Sequence, residues 1–160
     1  MIDARLRRMI GHGAIVMLFG LLAGFGLLME LIGGFEIVPT VILPFDPPAD
    51  GAAWARAHAG GIMNGMLVLV GAFVIFALKV SERVAFHLYW MLVGTGYANT
   101  IFYYGGILAA GHRALTFGDN RLGETSMAGV IGLVPAFVFA FVTTIAVIII
   151  AREAFKQPKA

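Results

Sequence analysis

Residues 52–80 read AAWARAHAGGIMNGMLVLVGAFVIFALKV, a long apolar run that contains one ionisable ring, His58. The run is long enough to cross a bilayer as a helix, which needs roughly 20 mainly apolar residues. A polar side chain within lipid costs several kcal/mol unless a partner satisfies it, so intramembrane ionisable residues are functional candidates. Histidine is also the commonest metal ligand among side chains. The segment therefore predicts a membrane helix with a candidate metal ligand.

Three glycines follow His58 within two helical turns: Gly60, Gly61 and Gly65. Gly61 and Gly65 lie three and seven residues after the histidine, which places them on the same helical face. A face with a nitrogen ligand and little side-chain bulk suits a large flat cofactor such as haem. Two alternatives stay open, because a membrane histidine also bonds to carbonyls and glycines also permit close helix packing.

Composition indicates an integral membrane protein. Of the 160 residues, 60% are hydrophobic and 12% are charged, against about 25% charged in an ordinary soluble domain. The predicted fold is all-α, a single four-helix membrane bundle over 1–160 with helices at about 9–34, 52–80, 84–111 and 127–151. No cleavable signal peptide is evident. The chain has no Cys, which excludes disulfides, thiolate metal sites and cysteine nucleophiles.

The positive charges predict the topology. Eight of the eleven Lys and Arg residues fall on one side of a four-span arrangement: Arg5, Arg7, Arg8, Lys79, Arg83, Arg152, Lys156 and Lys159. The positive-inside rule places this side and both termini in the cytoplasm, which predicts a bacterial inner-membrane protein. The high pI is a topology signal, and no basic patch with interleaved aromatics indicates nucleic-acid binding.

The third segment contains GTGYANTIFYYGG at 94–106, in which Thr95, Asn99 and Tyr103 recur every four residues. This spacing predicts one polar stripe on one helix face. The turn around Ser81 is short, so the second and third helices should be antiparallel neighbours. His58, about 10 Å below the outer surface, and Asn64 then lie at depths similar to those of Tyr103 and Asn99. The alternative is that these groups only bond helices together.

Other polar residues have simpler interpretations. His12 and His87 both lie toward the cytoplasmic side, where solvation at the interface is expected more than pairing with each other. The loop at 35–51 contains four prolines, which predicts extended turns.

The chain resembles the styrene oxide isomerases. The motifs that carry the resemblance span most of the chain in order: GHGAIVMLFG at 11–20, GGFEIVP at 33–39, WARAHAGGIMNGM at 54–66, GYANTIFY at 96–103 and RALTFG at 113–118. The resemblance implies a haem b enzyme with four membrane helices that assembles as a homotrimer, with haem near the subunit boundaries.

The resemblance also assigns residues. His58 matches the axial haem ligand, and Asn64 and Tyr103 match the polar residues that hold the epoxide oxygen. Asn99 falls on a matched motif, and Arg56 joins Gly61 and Gly65 as candidate cofactor-binding residues. Thr95, a further candidate in the catalytic set, departs from the family pattern, which has an acidic residue there.

The implied reaction converts a small hydrophobic aryl epoxide, such as styrene oxide, to an arylacetaldehyde. Ferric iron acts as a Lewis acid on the epoxide oxygen, and a 1,2-hydride shift follows, as in a Meinwald rearrangement. The scarcity of intramembrane acids and bases favours isomerisation over hydrolysis.

Two alternatives remain at this point. A small b-type cytochrome for electron transfer would need a second axial ligand, for which His112 is the only other histidine on the outer side. A haem-free structural membrane protein is the third interpretation.

Overall fold

Four long helices and one short hairpin make up the described chain. The computed structural model describes residues 4–109, 111, 113–119, 121 and 123–156. The helices are α1 (Ala4–Ile32), α2 (Gly51–Ala77), α3 (Glu82–Leu108) and α4 (Met127–Ala154), and the strands are β1 (Gly34–Val38) and β2 (Val41–Pro44). The four predicted helices are confirmed. α1 begins five residues earlier than predicted, because its arginine-rich first turns are also good helix formers.

Side-chain caps set the starts of the last three helices. Asp50 Oδ1 accepts a hydrogen bond from the Ala53 backbone N–H at 2.7 Å. Ser81 and Ser126 do the same for α3 and α4. Each cap satisfies one of the backbone donors that a helix start leaves without a partner.

The predicted turn segment at 35–51 contains an antiparallel hairpin, which is an addition to the all-α prediction. Phe35 pairs with Leu43 and Glu36 with Ile42. Thr40 has a φ of 73°, and its N–H donates to Glu36 Oε1 at 2.8 Å. The prolines break helices, as expected, but the β-branched and aromatic residues between them still pair as strands.

Successive helices pack antiparallel: α1 on α2, α2 on α3 and α3 on α4. Met9, Val68 and Leu92, all fully buried, join α1, α2 and α3 in the main core. α4 packs mainly on α3 and buries few of its residues. The arrangement is thus a packed group of three helices with α4 lying along α3, which is more open than the predicted bundle.

Within the described residues, three helices are long and apolar enough to cross a membrane: α1, α2 and α4. α3 is of equal length, but Glu82, Arg83, His87 and the polar stripe lower its apolar character. The outward faces of the helices carry many exposed large apolar side chains, including Phe73, Phe141 and Ile148. Such a surface is expected of a protein that faces lipid.

Candidate functional site

The His58 ring is held against α1. Its Nδ1 lies 2.9 Å from the Gly20 carbonyl oxygen. Gly24 leaves room for the ring, because a Cβ there would lie 2.8 Å from Nδ1. A carbonyl can only accept, so Nδ1 donates in this bond, and in the neutral ring Nε2 keeps its lone pair. In the described part of the chain, no hydrogen bond occupies Nε2.

This arrangement is typical of a histidine that binds a metal through Nε2. Histidines that bind metals usually donate the other ring N–H to a carbonyl or a carboxylate, which fixes the ring orientation and raises the basicity of the ligating nitrogen. His58 can therefore donate from Nδ1 to the Gly20 carbonyl and bind a metal through Nε2 at the same time. The two alternatives for this histidine are thus compatible.

The glycine face beside His58 is covered by α1. A Cβ on Gly61 would lie 2.5 Å from Gly20 Cα, and one on Gly65 would lie 2.6 Å from Met17 Cβ. Both glycines share the face of His58, as predicted. However, they allow the backbones of α1 and α2 to approach closely, so the open flat surface expected for haem is absent there. The packing interpretation of Gly61 and Gly65 is the one that the structure supports.

Asn64 and Asn99 form a hydrogen-bonded chain between α2 and α3. Asn64 Nδ2 donates to the Gly60 carbonyl at 2.7 Å, and Asn99 Nδ2 donates to Asn64 Oδ1 at 2.7 Å. The Gly60 carbonyl fixes the direction of the chain, because it cannot donate. Asn64 is buried and retains a second N–H. The predicted match in depth between the two helices is confirmed here.

Tyr103 lies over Gly60, where any Cβ would overlap the phenol ring and its hydroxyl. The tyrosine borders a cavity of about 60 Å³ that Arg56 and Arg113 also line. Sequence reasoning did not select Arg113, because a single arginine in a polar loop carries no spacing signal. Arg56 and Tyr103, predicted separately, therefore border one cavity.

Thr95 is buried and bonded to α4. Its Oγ1 lies 2.7 Å from the Met91 carbonyl and 2.6 Å from Thr143 Oγ1. Thr143 in turn donates to the Phe139 carbonyl at 2.6 Å. Sequence reasoning missed Thr143, because no periodicity relates it to the polar stripe of α3. Thr95 and Thr143 both line a groove that Asn64 and Asn99 also border.

The candidate ligand and the asparagine chain lie on different faces of α2. His58 contacts α1, whereas Asn64 contacts α3. Six residues along a helix correspond to a rotation that leaves the two side chains about 120° apart. The similar depths of His58 and Asn64 predicted one shared site. Within one chain, however, the two residues lie on different faces of α2 and do not share a site.

The remaining histidines are separate from one another. His12 Nδ1 lies 2.8 Å from the Tyr97 hydroxyl, and His87 Nδ1 lies 2.6 Å from the Arg83 carbonyl. His12 is half-buried against α3, so the expected solvation at the interface holds only for the exposed His87. His112, the second ligand required by the cytochrome alternative, lies outside the described residues. Among the described residues, no group of three or more His, Asp or Glu side chains could hold a metal ion.

Similarity to known proteins extends over nearly the whole chain, including the residues described above. The sequence model of the family described as styrene oxide isomerase matches residues 5–155. The chain is 38% identical to the styrene-oxide isomerase of Pseudomonas fluorescens over 157 residues, which cover 98% of this chain and 92% of that protein.

The chain belongs to the styrene oxide isomerase family. The predicted family and enzyme class, an isomerase, are confirmed.

Proposed function

We propose that the chain is a haem b-dependent isomerase that converts aryl epoxides such as styrene oxide to arylacetaldehydes. Family membership supports the epoxide chemistry. The single structural observation that carries the haem proposal is the His58 ring, whose Nδ1 is bonded to a carbonyl and whose Nε2 is left for a metal.

The reaction rearranges bonds within one molecule. The benzylic C–O bond breaks, a hydride moves with its electron pair from the neighbouring carbon, and that carbon becomes the aldehyde carbonyl. No atom or electron enters or leaves. Ferric haem, when bound, supplies a Lewis acid for the epoxide oxygen.

The side chains of the protein position the substrate. The second N–H of Asn64 and the Tyr103 hydroxyl are hydrogen-bond donors of neutral groups, and both can hold the epoxide oxygen. Asn99 keeps the Asn64 amide in its orientation. Apolar surroundings exclude water, which would otherwise trap the cationic carbon as a diol. No strong acid or base is required from these residues.

A homotrimer is part of the proposal. His58 and Asn64 lie on different faces of α2, so a haem that contacts both kinds of residue must lie where two copies meet. Arg56 would be a candidate to hold the haem carboxylates, which guanidinium groups bind well. Mass measurement in nanodiscs tests this assembly, and a stable monomer with full haem content and activity would contradict it.

The proposed location is a bacterial inner membrane, with both termini in the cytoplasm. α1, α2 and α4 have the length and composition of membrane helices. We propose that α3 crosses as well, because it lies antiparallel between α2 and α4 and its polar stripe contacts those helices instead of lipid.

The haem ligand is tested with two histidine variants. His58→Ala should lose the haem Soret band, whereas His12→Ala, which removes another interior histidine, should keep it. Exogenous imidazole should restore haem binding to His58→Gly. An unchanged spectrum and full haem content in His58→Ala would refute the ligand assignment.

The reaction is tested with the haem-loaded ferric protein and styrene oxide. We expect phenylacetaldehyde as the main product, with little phenylethanediol, by gas chromatography. A six-coordinate spectrum with reversible redox cycling and no isomerisation of any epoxide would favour the cytochrome alternative.

A further inference from the structure

A groove runs along α3 between α2 and α4. Its volume is about 550 Å³, within the usual range of roughly 300–1,000 Å³ for small-molecule sites. The lining residues come from three helices: Asn64, Leu67, Thr95, Asn99, Ala140, Thr143, Thr144, Val147 and Ile148. Five of the nine belong to α4, of which only Thr143 was part of the candidate site above.

Among the described residues the groove has no charged lining residue, and the hydroxyls of its three threonines all have hydrogen-bond partners. Thr143 and Thr144 donate to the Phe139 and Ala140 carbonyls of their own helix. Thr95 shares its hydroxyl between the Met91 carbonyl and Thr143. The part of the groove formed by these threonines and the aliphatic side chains can lose water without leaving unsatisfied hydroxyls, so it suits an apolar occupant.

The groove begins at the polar residues of the proposed reaction. Asn64 and Asn99 form one end, and aliphatic side chains such as Leu67, Val147 and Ile148 form the remainder. Ile148 is 61% exposed, so the aliphatic part opens toward the lipid-facing surface. A molecule that places an oxygen at Asn64 can therefore extend a hydrocarbon part along α4, and an apolar molecule dissolved in lipid can enter from the side.

We propose that this groove binds the hydrocarbon part of the epoxide, and that Ala140, Thr143 and Val147 of α4 determine which substrates fit. The proposal rests on the proposed epoxide isomerase function. The volume of the groove favours aryl epoxides that are larger than styrene oxide, with a second ring or an alkyl substituent. The occupant is thus an uncharged, lipid-soluble molecule with one hydrogen-bond acceptor.

The test compares two phenylalanine substitutions on α4. Ala140→Phe adds a ring inside the groove. Val138→Phe adds a ring on the same helix two residues earlier, at a position that does not line the groove and is 53% exposed. Haem-loaded variants are assayed with styrene oxide and with 2-vinylnaphthalene oxide, and inhibition by the unreactive alkenes styrene and 2-vinylnaphthalene is measured in parallel.

Ala140→Phe should lower kcat/KM for the two-ring epoxide at least tenfold more than for styrene oxide, since removing space for even small apolar groups changes selectivity by about 10–200-fold. Inhibition by 2-vinylnaphthalene should weaken to a similar extent. Val138→Phe should leave two quantities at their parental values: the ratio of kcat/KM between the two epoxides, and the inhibition by 2-vinylnaphthalene.

Three outcomes would overturn the proposal. The substrate ratio and alkene inhibition stay parental in a folded, haem-loaded Ala140→Phe. In a second outcome, Ala140→Phe isomerises both epoxides more slowly by the same factor and its oligomer dissociates. This result would assign the groove to contact with a second copy. Val138→Phe changes the ratio as much as Ala140→Phe does. Failure of the proposed function looks different, because the parent protein would then isomerise neither epoxide.

Discussion

Replacement of Asn99 by alanine tests whether this residue acts on the substrate directly or through Asn64. The Asn99 amide donates to Asn64 Oδ1 at 2.7 Å, and the Asn64 side chain is buried at 9% exposure. Asn99→Ala leaves that oxygen without its donor. The Gly60 carbonyl still holds the other end of the Asn64 amide. The substitution should therefore loosen the orientation of Asn64 without releasing it.

The magnitude follows from these contacts. An unsatisfied buried acceptor costs about 1–3 kcal/mol, and hydrogen bonds between membrane helices measure about 0.6 kcal/mol on average and up to about 1.7 kcal/mol. We expect Asn99→Ala to lower the free energy of unfolding by about 1 kcal/mol. If Asn64 directly donates to the reacting oxygen, Asn64→Ala should cost about a hundredfold in kcat, as for other donors of this type. Asn99→Ala should cost about tenfold, with KM nearly unchanged.

The assay measures kcat and KM for styrene oxide isomerisation by protein of matched haem content. The decisive variant is the double substitution of Asn64 and Asn99 by alanine, which should be no slower than Asn64→Ala, because a residue that acts through another has no separate effect. Thr100→Val is the control, since it removes a hydrogen bond to the Gly96 carbonyl on the same helix. If the double variant loses the product of the two single effects, Asn99 acts on its own and the positioning argument fails.

Three further predictions concern the rate, the packing and the topology. Tyr103→Phe should lower kcat by about a hundredfold and raise the share of diol while haem stays bound, because one donor to the epoxide oxygen is lost. Analysis of the rate and products checks this. An unchanged rate would exclude the hydroxyl from the reaction. Gly61→Leu should unfold the protein at markedly lower temperature, since a Cβ there already lies 2.5 Å from Gly20 Cα, whereas Gly11→Ala, with nothing within 4 Å of the new Cβ, should be neutral. Reporter fusions at either terminus should report a cytoplasmic position, and an outer position for one terminus alone would mean that α3 does not cross the membrane.

The sequence by itself determined the helices and the depth of their polar groups. Long apolar runs predicted the starts of α2, α3 and α4 to within two residues and the start of α1 to within five. Helical spacing and the short turn then placed Asn64 near the depth of Asn99, because rise per residue and chain direction are local properties.

Only the tertiary structure decided which neighbour covers each face. Spacing put Gly61 beside His58, but it could not show that α1 fills this face and that the glycine serves close packing. It also gave no sign that Thr143 of α4 would bond to Thr95, since the two residues lie 48 positions apart in the chain. The physical reason is that periodicity determines the face on which a side chain lies, whereas the partner on that face depends on how whole helices pack, through many small contacts distributed over their length.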